Sequence, residues 1–122
     1  MQNISFSHTT AQIRNRTKTV TRRLGWLKLK AGTLLCAVEK SQGLKSGESV
    51  VRLGIIRVVS VTREPLDAIA DHPGDVGREG FPDWTAAEFI RFFKESFKLK
   101  PGQLVTRIEF VYPPPSQIQP HK

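Results

Sequence analysis

Two apolar stretches decide the fold of this chain: LLCAV at residues 34–38 and VVRLGIIRVVSV at residues 50–61. The first has the length of a strand buried on both faces, and the second is rich in Val and Ile, which favour extended backbone. Residues 41–49, which lie between them, contain two glycines and are typical of a loop. The stretches therefore predict a hairpin, and the length of the second predicts a bend or bulge near Gly54.

The segments on either side of this hairpin predict an α+β fold. Residues 3–7 alternate as a short strand, and a short helix follows that ends at Ile13. Residues 65–70 indicate a helical turn, residues 71–83 a long loop, and residues 104–112 a closing strand. About five strands with two or three short helices predict a mixed sheet or a small barrel.

The clearest helix signal begins at Thr85. Thr85 and Glu88 have the spacing of a capping box, in which each side chain bonds the backbone N–H of the other residue. Phe89, Phe93 and Phe97 follow four residues apart and form one apolar stripe. We expect a helix that packs on the sheet with all three rings buried.

Composition limits the class of protein. With 122 residues, the chain suits one domain, and its 39% hydrophobic and 25% charged residues are typical of a globular protein. No apolar run approaches the roughly 20 residues of a membrane span, no secretory signal is visible, and a single cysteine cannot form an internal disulfide. We expect a cytoplasmic protein with no membrane partner, and nothing indicates its oligomeric state.

The formal charge of +8 is distributed unevenly along the chain. Residues 1–60 hold 11 Lys and Arg against two Glu, whereas residues 61–122 hold eight basic residues against nine acidic ones. Such asymmetry predicts a basic face that receives an anionic partner, above all RNA or a nucleoside. A solvated surface without a partner is the alternative.

The densest basic segment is RTKTVTRR, residues 16–23. Guanidinium forks and hydroxyls suit phosphate groups, so we expect Arg16, Arg22 and Arg23 to contact RNA or phosphate. We also expect Arg22 and Arg23 to be exposed and replaceable by Ala without loss of the fold. An exposed basic strand without a ligand is the alternative interpretation.

Several pieces of the chain, taken in order, resemble the ASCH domain family, whose members have a PUA-like fold and are associated with RNA. The matching pieces are KTVTRR at residues 18–23, LKAG at 29–32, REGF at 78–81 and the strand at 105–110. The resemblance implies a PUA-like small β-barrel in a single domain, residues 1–112, followed by a flexible Pro-rich tail, residues 113–122. The family often has glycine where this chain has Arg16.

One bacterial branch of that family is an amidohydrolase that removes the acetyl group of N4-acetylcytidine. The resemblance matches its lysine, threonine and glutamate to Lys18, Thr21 and Glu79. A threonine hydroxyl becomes nucleophilic when a base removes its proton, and a lysine acts as that base only if its pKa is lowered, as burial and neighbouring arginines would do. Glu79 would position the substrate or pass a proton to the departing amine.

The spacing of Lys18 and Thr21 sets a condition on this triad. Residues three apart share a face in a helical turn but point in opposite directions in a regular strand. The β-branched residues between 17 and 21 favour a strand. The triad therefore requires a turn or bulge at this segment. Apart from the resemblance, the alternative is that Lys18 and Thr21 are solvated surface residues, because charged runs and hydroxyls are common on exposed faces.

Three functions remain open at this point: a module that binds RNA or a nucleoside, an amidohydrolase, and an interaction protein that binds an acidic partner. Catalysis would require Lys18 and Thr21 within hydrogen-bond reach and Glu79 opposite them. No cofactor is expected. No metal is expected either, because His8, His72 and His121 are scattered and have no paired ligands nearby.

Overall fold

The computed structural model describes residues 1–40 and 47–118. Its framework is one five-stranded sheet in the order β1-β3-β4-β5-β2, with β1 parallel to β3 and the other pairs antiparallel. The predicted α+β class is confirmed. The strands are β1 (Asn3–Ser5), β2 (Val20–Arg23), β3 (Leu34–Val38), β4 (Arg52–Pro65) and β5 (Leu104–Val111). The helices are α1 (Thr10–Arg14), α2 (Asp75–Arg78) and α3 (Ala86–Phe97), and 3-10 turns cover Leu66–Asp71 and Pro115–Gln117.

The predicted hairpin is formed by β3 and β4. Ala37 pairs with Gly54 while Val38 pairs with Arg52, so one extra residue, Leu53, interrupts the register. Gly54 has a φ of 152°. The expected bulge is therefore present, and it lets one long strand bend around the core.

The sheet is not closed into a barrel, so that part of the prediction is wrong. β1 and β2 are the two edge strands, and no ladder joins them in the described part of the chain. Closure needs a ladder between the first and last strands, and these edges are only three and four residues long. Side chains meet across the gap instead: the Arg23 guanidinium carbon lies 4.7 Å from the centroid of the Phe6 ring.

Two apolar clusters form the core, and β5 contributes to both. Ile108 belongs to the first cluster and Val105 to the second, because residues of opposite parity face opposite sides of a strand. The first cluster also contains Ile4, Phe6, Ile13, Leu35, Ala37, Ile56, Val58 and Phe110, and the second contains Leu66, Ile69, Phe89 and Phe93.

Helix α3 begins with the predicted capping box. The Glu88 N–H donates to Thr85 Oγ1, and the Thr85 N–H donates to Glu88 Oε1. Phe89 and Phe93 are buried as expected, but Phe97 is 38% exposed. Phe97 lies in the last turn, where its ring contacts Phe93 and His8 but stays partly accessible to solvent.

Residues 71–83, predicted to be a loop, contain the short helix α2. Gly77 within it disfavours a helix locally. Asp75, in its first turn, is buried and paired with Arg22 and Arg107, so contacts with distant strands stabilise the turn. Local sequence carries no signal for such pairing.

The predicted tail is described only as far as residue 118. Arg57 donates hydrogen bonds to the side chain and the carbonyl of Gln117, at 2.7 and 3.2 Å. Residues 119–122 lie outside the described chain, as does most of the predicted loop at 41–49. Within the described ranges, no helix has the length and apolar character needed to cross a membrane.

Candidate functional site

An open pocket lies between the β1–α1 connection, β2, residues 79–81 and α3. Its empty volume, with the mouth and the open solvent there included, is about 460 Å³. Five of the six residues predicted for the site line it: Lys18, Thr21, Arg22, Arg23 and Glu79. The sixth, Arg16, does not.

The backbone before β2 satisfies the spacing condition on Lys18 and Thr21. Thr21 lies within β2, whereas Lys18 precedes the strand in irregular backbone. The carbonyl of Gln12 accepts hydrogen bonds from the N–H groups of Thr17 and Lys18 and holds this segment in place. Both side chains therefore reach one pocket although a regular strand would separate them.

The same glutamine also positions the segment that carries Glu79. Gln12 Nε2 donates to the carbonyl of Gly80 at 3.1 Å. The N–H of Thr19 donates to the carbonyl of Arg78 at 2.8 Å. These bonds fix Lys18 and Glu79 relative to each other across 61 residues of sequence.

Lys18 and Glu79 form a buried ion pair. Lys18 Nζ lies 2.9 Å from Glu79 Oε1 and also donates to the main-chain carbonyl of Glu79. Burial lowers the pKa of Lys18; Glu79 opposes this effect, and the nearby charges of Arg23 and Arg22 reinforce it. No hydrogen bond joins Lys18 to Thr21 among the described residues, so the lysine bonds the glutamate rather than the threonine.

Arg22 is not the exposed phosphate ligand that the sequence predicts. Its side chain is fully buried, with Nη1 3.0 Å from Glu79 Oε2 and Nη2 2.7 Å from Asp75 Oδ2 and 3.1 Å from Glu64 Oε2. Its terminal nitrogens are thus occupied by three carboxylates, and its Nε has no partner in the described chain. The expectation that Arg22 is exposed is wrong.

The ion pairs continue behind the pocket through Asp75. Arg107 Nε and Nη2 donate to the two oxygens of Asp75 at 2.9 and 3.1 Å. Burial would raise the pKa of Asp75, but hydrogen bonds from Arg107 and Arg22 outweigh it and lower that pKa to about 2. Acidic residues of the second half of the chain thus neutralise basic residues of the first half, so charge asymmetry along the sequence does not translate directly into a basic site.

This shifted pKa makes stability depend on pH. The pKa of Asp75 is lowered from the ordinary 3.8 to about 2 in the folded protein. The ionised carboxylate therefore contributes roughly 2 kcal/mol to the free energy of unfolding above pH 4, and this contribution is lost as the pH falls from about 4 to about 2. Urea unfolding across that range should show the loss in the parent protein. Asp75→Asn should reduce this dependence of the unfolding free energy on pH, whereas Asp83→Asn, at an exposed position, should not. An equal slope in the parent and Asp75→Asn would contradict the assignment.

Arg23 differs from the other cations of the pocket. It is half-buried, its Nε donates to Thr21 Oγ1 at 2.9 Å, and its guanidinium lies over Phe6. Burial lowers its pKa to about 10, which leaves it charged at neutral pH. In the described chain no carboxylate pairs with it and its two terminal nitrogens have no hydrogen-bond partner. Arg23 therefore presents free donors inside the pocket.

Arg16 lies outside the pocket. It is exposed, has a φ of 63°, and its guanidinium lies 5.6 Å from the centroid of the Tyr112 ring. Tyr112 in turn donates a hydrogen bond to the carbonyl of Lys18 at 2.6 Å. Arg16 thus covers the residue that supports Lys18.

Gly80 is required by the close approach of Gln12. Its φ is 108°, and a Cβ there would lie 2.9 Å from Gln12 Cγ. Gly80→Ala should lower the free energy of unfolding by about 1–3 kcal/mol, measured by urea denaturation. Gly102→Ala is the matched control, because its φ of 74° is also positive but its Cβ would meet nothing. Equal losses would show that the contact with Gln12 is unimportant.

Aromatic side chains form the remaining wall and were not predicted as site residues. His8 contacts Phe92 and Phe97 edge to face, with ring centroids 5.4 and 5.8 Å apart. Phe81, which lines the pocket, stacks with centroids 4.0 Å apart on Trp84, which does not line it. The only sequence signal for this wall is the number of phenylalanines in α3. No cluster of His, Cys, Asp or Glu suited to a metal occurs within residues 1–40 and 47–118.

Comparison with solved structures identifies the fold. A protein from Enterococcus faecalis V583, assigned to the DUF984 family model, has a TM-score of 0.62 at 21% sequence identity. The alignment covers 93% of this chain and 76% of that protein. An ASCH domain from Lactobacillus crispatus JV V101 has a TM-score of 0.59 at 15% sequence identity, and the alignment covers 90% of this chain and 77% of that domain. A variant of the ASCH protein from Zymomonas mobilis has a TM-score of 0.54 at 12% sequence identity, and the alignment covers 90% of this chain and 66% of that protein. No family model and no curated protein matches the sequence.

Proposed function

We propose that this chain, which has the fold of ASCH domains, binds a nucleoside, free or within RNA, in the pocket lined by Lys18, Thr21, Arg23 and Glu79. The proposal rests chiefly on Arg23, whose charged guanidinium lines the pocket beside aromatic rings and has hydrogen-bond donors that no described residue accepts. The site is a concave pocket lined by residues of several elements, not the flat basic face expected for an acidic protein partner.

The two kinds of wall match the two parts of a nucleoside. Unstacked bases bind proteins by stacking on aromatic rings and by hydrogen bonds on their edges, and Phe92 and Phe97 offer such rings beside His8. Arg23 supplies the fork for a carbonyl, ribose or phosphate oxygen. Thr21 accepts a bond from Arg23, so its own hydroxyl proton is available to the ligand.

Calorimetric titration with cytidine and N4-acetylcytidine tests the proposal. Arg23→Ala should weaken binding at least tenfold, because a hydrogen bond to a charged group contributes about 1.5–3 kcal/mol. Arg23→Lys should restore little of it, since a single ammonium cannot replace the fork. Arg52→Ala, which removes an exposed arginine elsewhere, is the control. Equal affinities for Arg23→Ala and Arg52→Ala would refute the proposal.

Hydrolysis of an N4-acylcytidine is the second candidate, and the buried Lys18, with its lowered pKa, favours it. The neutral form of Lys18 would take the proton of the Thr21 hydroxyl, whose oxygen forms a bond to the acyl carbon. The bond from that carbon to N4 then breaks, and the ammonium of Lys18 returns the proton to the leaving amine. Water hydrolyses the Thr21 ester, releasing the carboxylic acid and restoring the hydroxyl. This route requires Lys18 to turn from Glu79 towards Thr21.

Both carboxylate oxygens of Glu79 already accept bonds from cations, Oε1 from Lys18 and Oε2 from Arg22. That arrangement suits an ionised carboxylate that holds the lysine. Within the second candidate, Glu79 is therefore a positioning residue for Lys18 rather than the acid that protonates the leaving amine.

A further inference from the structure

A second concave surface lies next to the segment that follows β2. It is formed by Gln2, Thr33 and residues 26–30, here called loop 26–30, and its empty volume with the mouth included is about 890 Å³. Loop 26–30 has the sequence WLKLK. It thus combines an indole and two ammonium groups on one surface.

The charges of this loop are uncompensated. Lys28 and Lys30 are exposed, and neither forms an ion pair with any carboxylate of the described chain. Trp26 is half-buried, and its indole N–H has no hydrogen-bond partner among those residues. This contrasts with Lys18 and Arg22, whose charges are neutralised by carboxylates. The positive charge left free on this side of the molecule therefore attracts an anion.

The backbone of loop 26–30 is held in a strained conformation. Trp26 has a φ of 57°, and only three residues other than glycine have a positive φ in the described chain. Such a conformation is unfavourable for a residue with a Cβ and persists where surrounding structure imposes it, commonly at ligand contacts. The ring packs partly on the first apolar cluster, which fixes its position.

Both edge strands lead from the pocket to this loop. Arg23, the last residue of β2, lines the pocket, and Trp26 follows three residues later; Phe6, just after β1, lines the pocket, and Gln2, just before β1, lines the second surface. At about 3.3 Å per extended residue the separation along β1 is roughly 13 Å, and that from Arg23 to Trp26 is no more than roughly 11 Å, because Gly25 and Trp26 have positive φ and turn the chain. Since Arg23 lies over Phe6, the two edges approach each other along this path.

We propose that the nucleoside bound in the pocket belongs to a single-stranded RNA, whose neighbouring nucleotides follow the β1 and β2 edges to loop 26–30. There Trp26 stacks on a base, and Lys28 and Lys30 bind phosphates. Aromatic rings interleaved with basic residues are the chemistry that binds single strands with little sequence preference. This inference rests on nucleoside binding in the pocket and names RNA, rather than the free nucleoside, as its source.

The test compares cytidine with a fluorescein-labelled hexacytidylate RNA. The Lys28→Ala/Lys30→Ala variant should bind the RNA at least tenfold more weakly and bind cytidine as the parent does. Its slope of log affinity against log salt should fall by about 1.4, because each phosphate contact with a single strand contributes about 0.7. Lys94→Ala/Lys100→Ala removes two exposed lysines elsewhere and should change neither affinity by more than twofold.

Tryptophan fluorescence supplies a second measurement. The chain has two tryptophans, so Trp84→Phe leaves Trp26 as the sole emitter, which the RNA should quench and cytidine should not. An RNA that binds no more tightly than cytidine, or equal RNA affinities in the two lysine pairs, would overturn the inference. Failure of nucleoside binding itself is detected separately, through the lack of an effect of Arg23→Ala on cytidine.

Discussion

Arg22→Ala should cost about 3–5 kcal/mol of unfolding free energy, a large share of the 5–15 kcal/mol that stabilises a typical domain. The substitution leaves the carboxylates of Glu79, Asp75 and Glu64 buried without their shared cation. Removing one partner of a buried ion pair is costly because the remaining charge has no solvent to stabilise it. Urea denaturation followed by circular dichroism at pH 7 measures this loss.

Arg23→Ala is the matched control for that measurement, since Arg23 is the next residue of β2 and makes no ion pair in the described chain. We expect it to cost about 1 kcal/mol, from the packing on Phe6 and the bond to Thr21. The two neighbours should therefore divide their roles, with Arg22 stabilising the fold and Arg23 serving the ligand. An Arg22→Ala protein as stable as Arg23→Ala would contradict the assignment of Arg22 to the buried network.

Lys18→Ala and Thr21→Ala should each abolish hydrolysis of N4-acetylcytidine if the second candidate function holds. The double variant should be scarcely slower than either single one, because residues that act as one unit have non-additive effects on rate. Release of cytidine, followed by chromatography, measures the rate. Arg52→Ala, far from these residues in the sequence and exposed, should retain the parent rate.

Glu79→Gln separates positioning from proton transfer. Glu79 raises the pKa of Lys18 against the effect of burial, so its removal should lower that pKa further. The part of the pH–rate profile that depends on neutral Lys18 should then move to lower pH. A rate reduced by ~10²-fold or more without that movement would make Glu79 a proton donor instead. A parent protein that binds nucleosides but releases no cytidine would leave only the binding function.

The elements that the sequence predicts well depend on local signals. The hairpin of β3 and β4 follows from two apolar runs around a glycine-containing loop, the second of them rich in Val and Ile, and the start of α3 follows from Thr85 and Glu88. Helix α2 and the open sheet depend instead on contacts between distant segments: Asp75 pairs with arginines of β2 and β5, and no ladder joins β1 to β2 in the described part of the chain. Local sequence propensity predicts neither the pairing of Asp75 nor the opening between β1 and β2.

The candidate site divides in the same way. Resemblance to a family predicted that Lys18, Thr21 and Glu79 meet, and the irregular backbone before β2 brings them to one pocket. The expectation that Arg22 is exposed was wrong because the sequence does not reveal which carboxylates surround a cation. The aromatic wall was missed because phenylalanines in a helix are read first as core, and only the fold shows that Phe92 and Phe97 border an opening.

Nuclear magnetic resonance titration of ¹⁵N-labelled protein with cytidine locates the nucleoside site. We expect chemical-shift changes at the amides of Thr9, Thr21, Arg23 and Phe92, which line the pocket, and their loss in Arg23→Ala. Residues 99–104, which line a separate cavity, should not respond. An unchanged spectrum at millimolar cytidine, or changes centred on residues 99–104, would contradict the claim that this pocket binds a nucleoside.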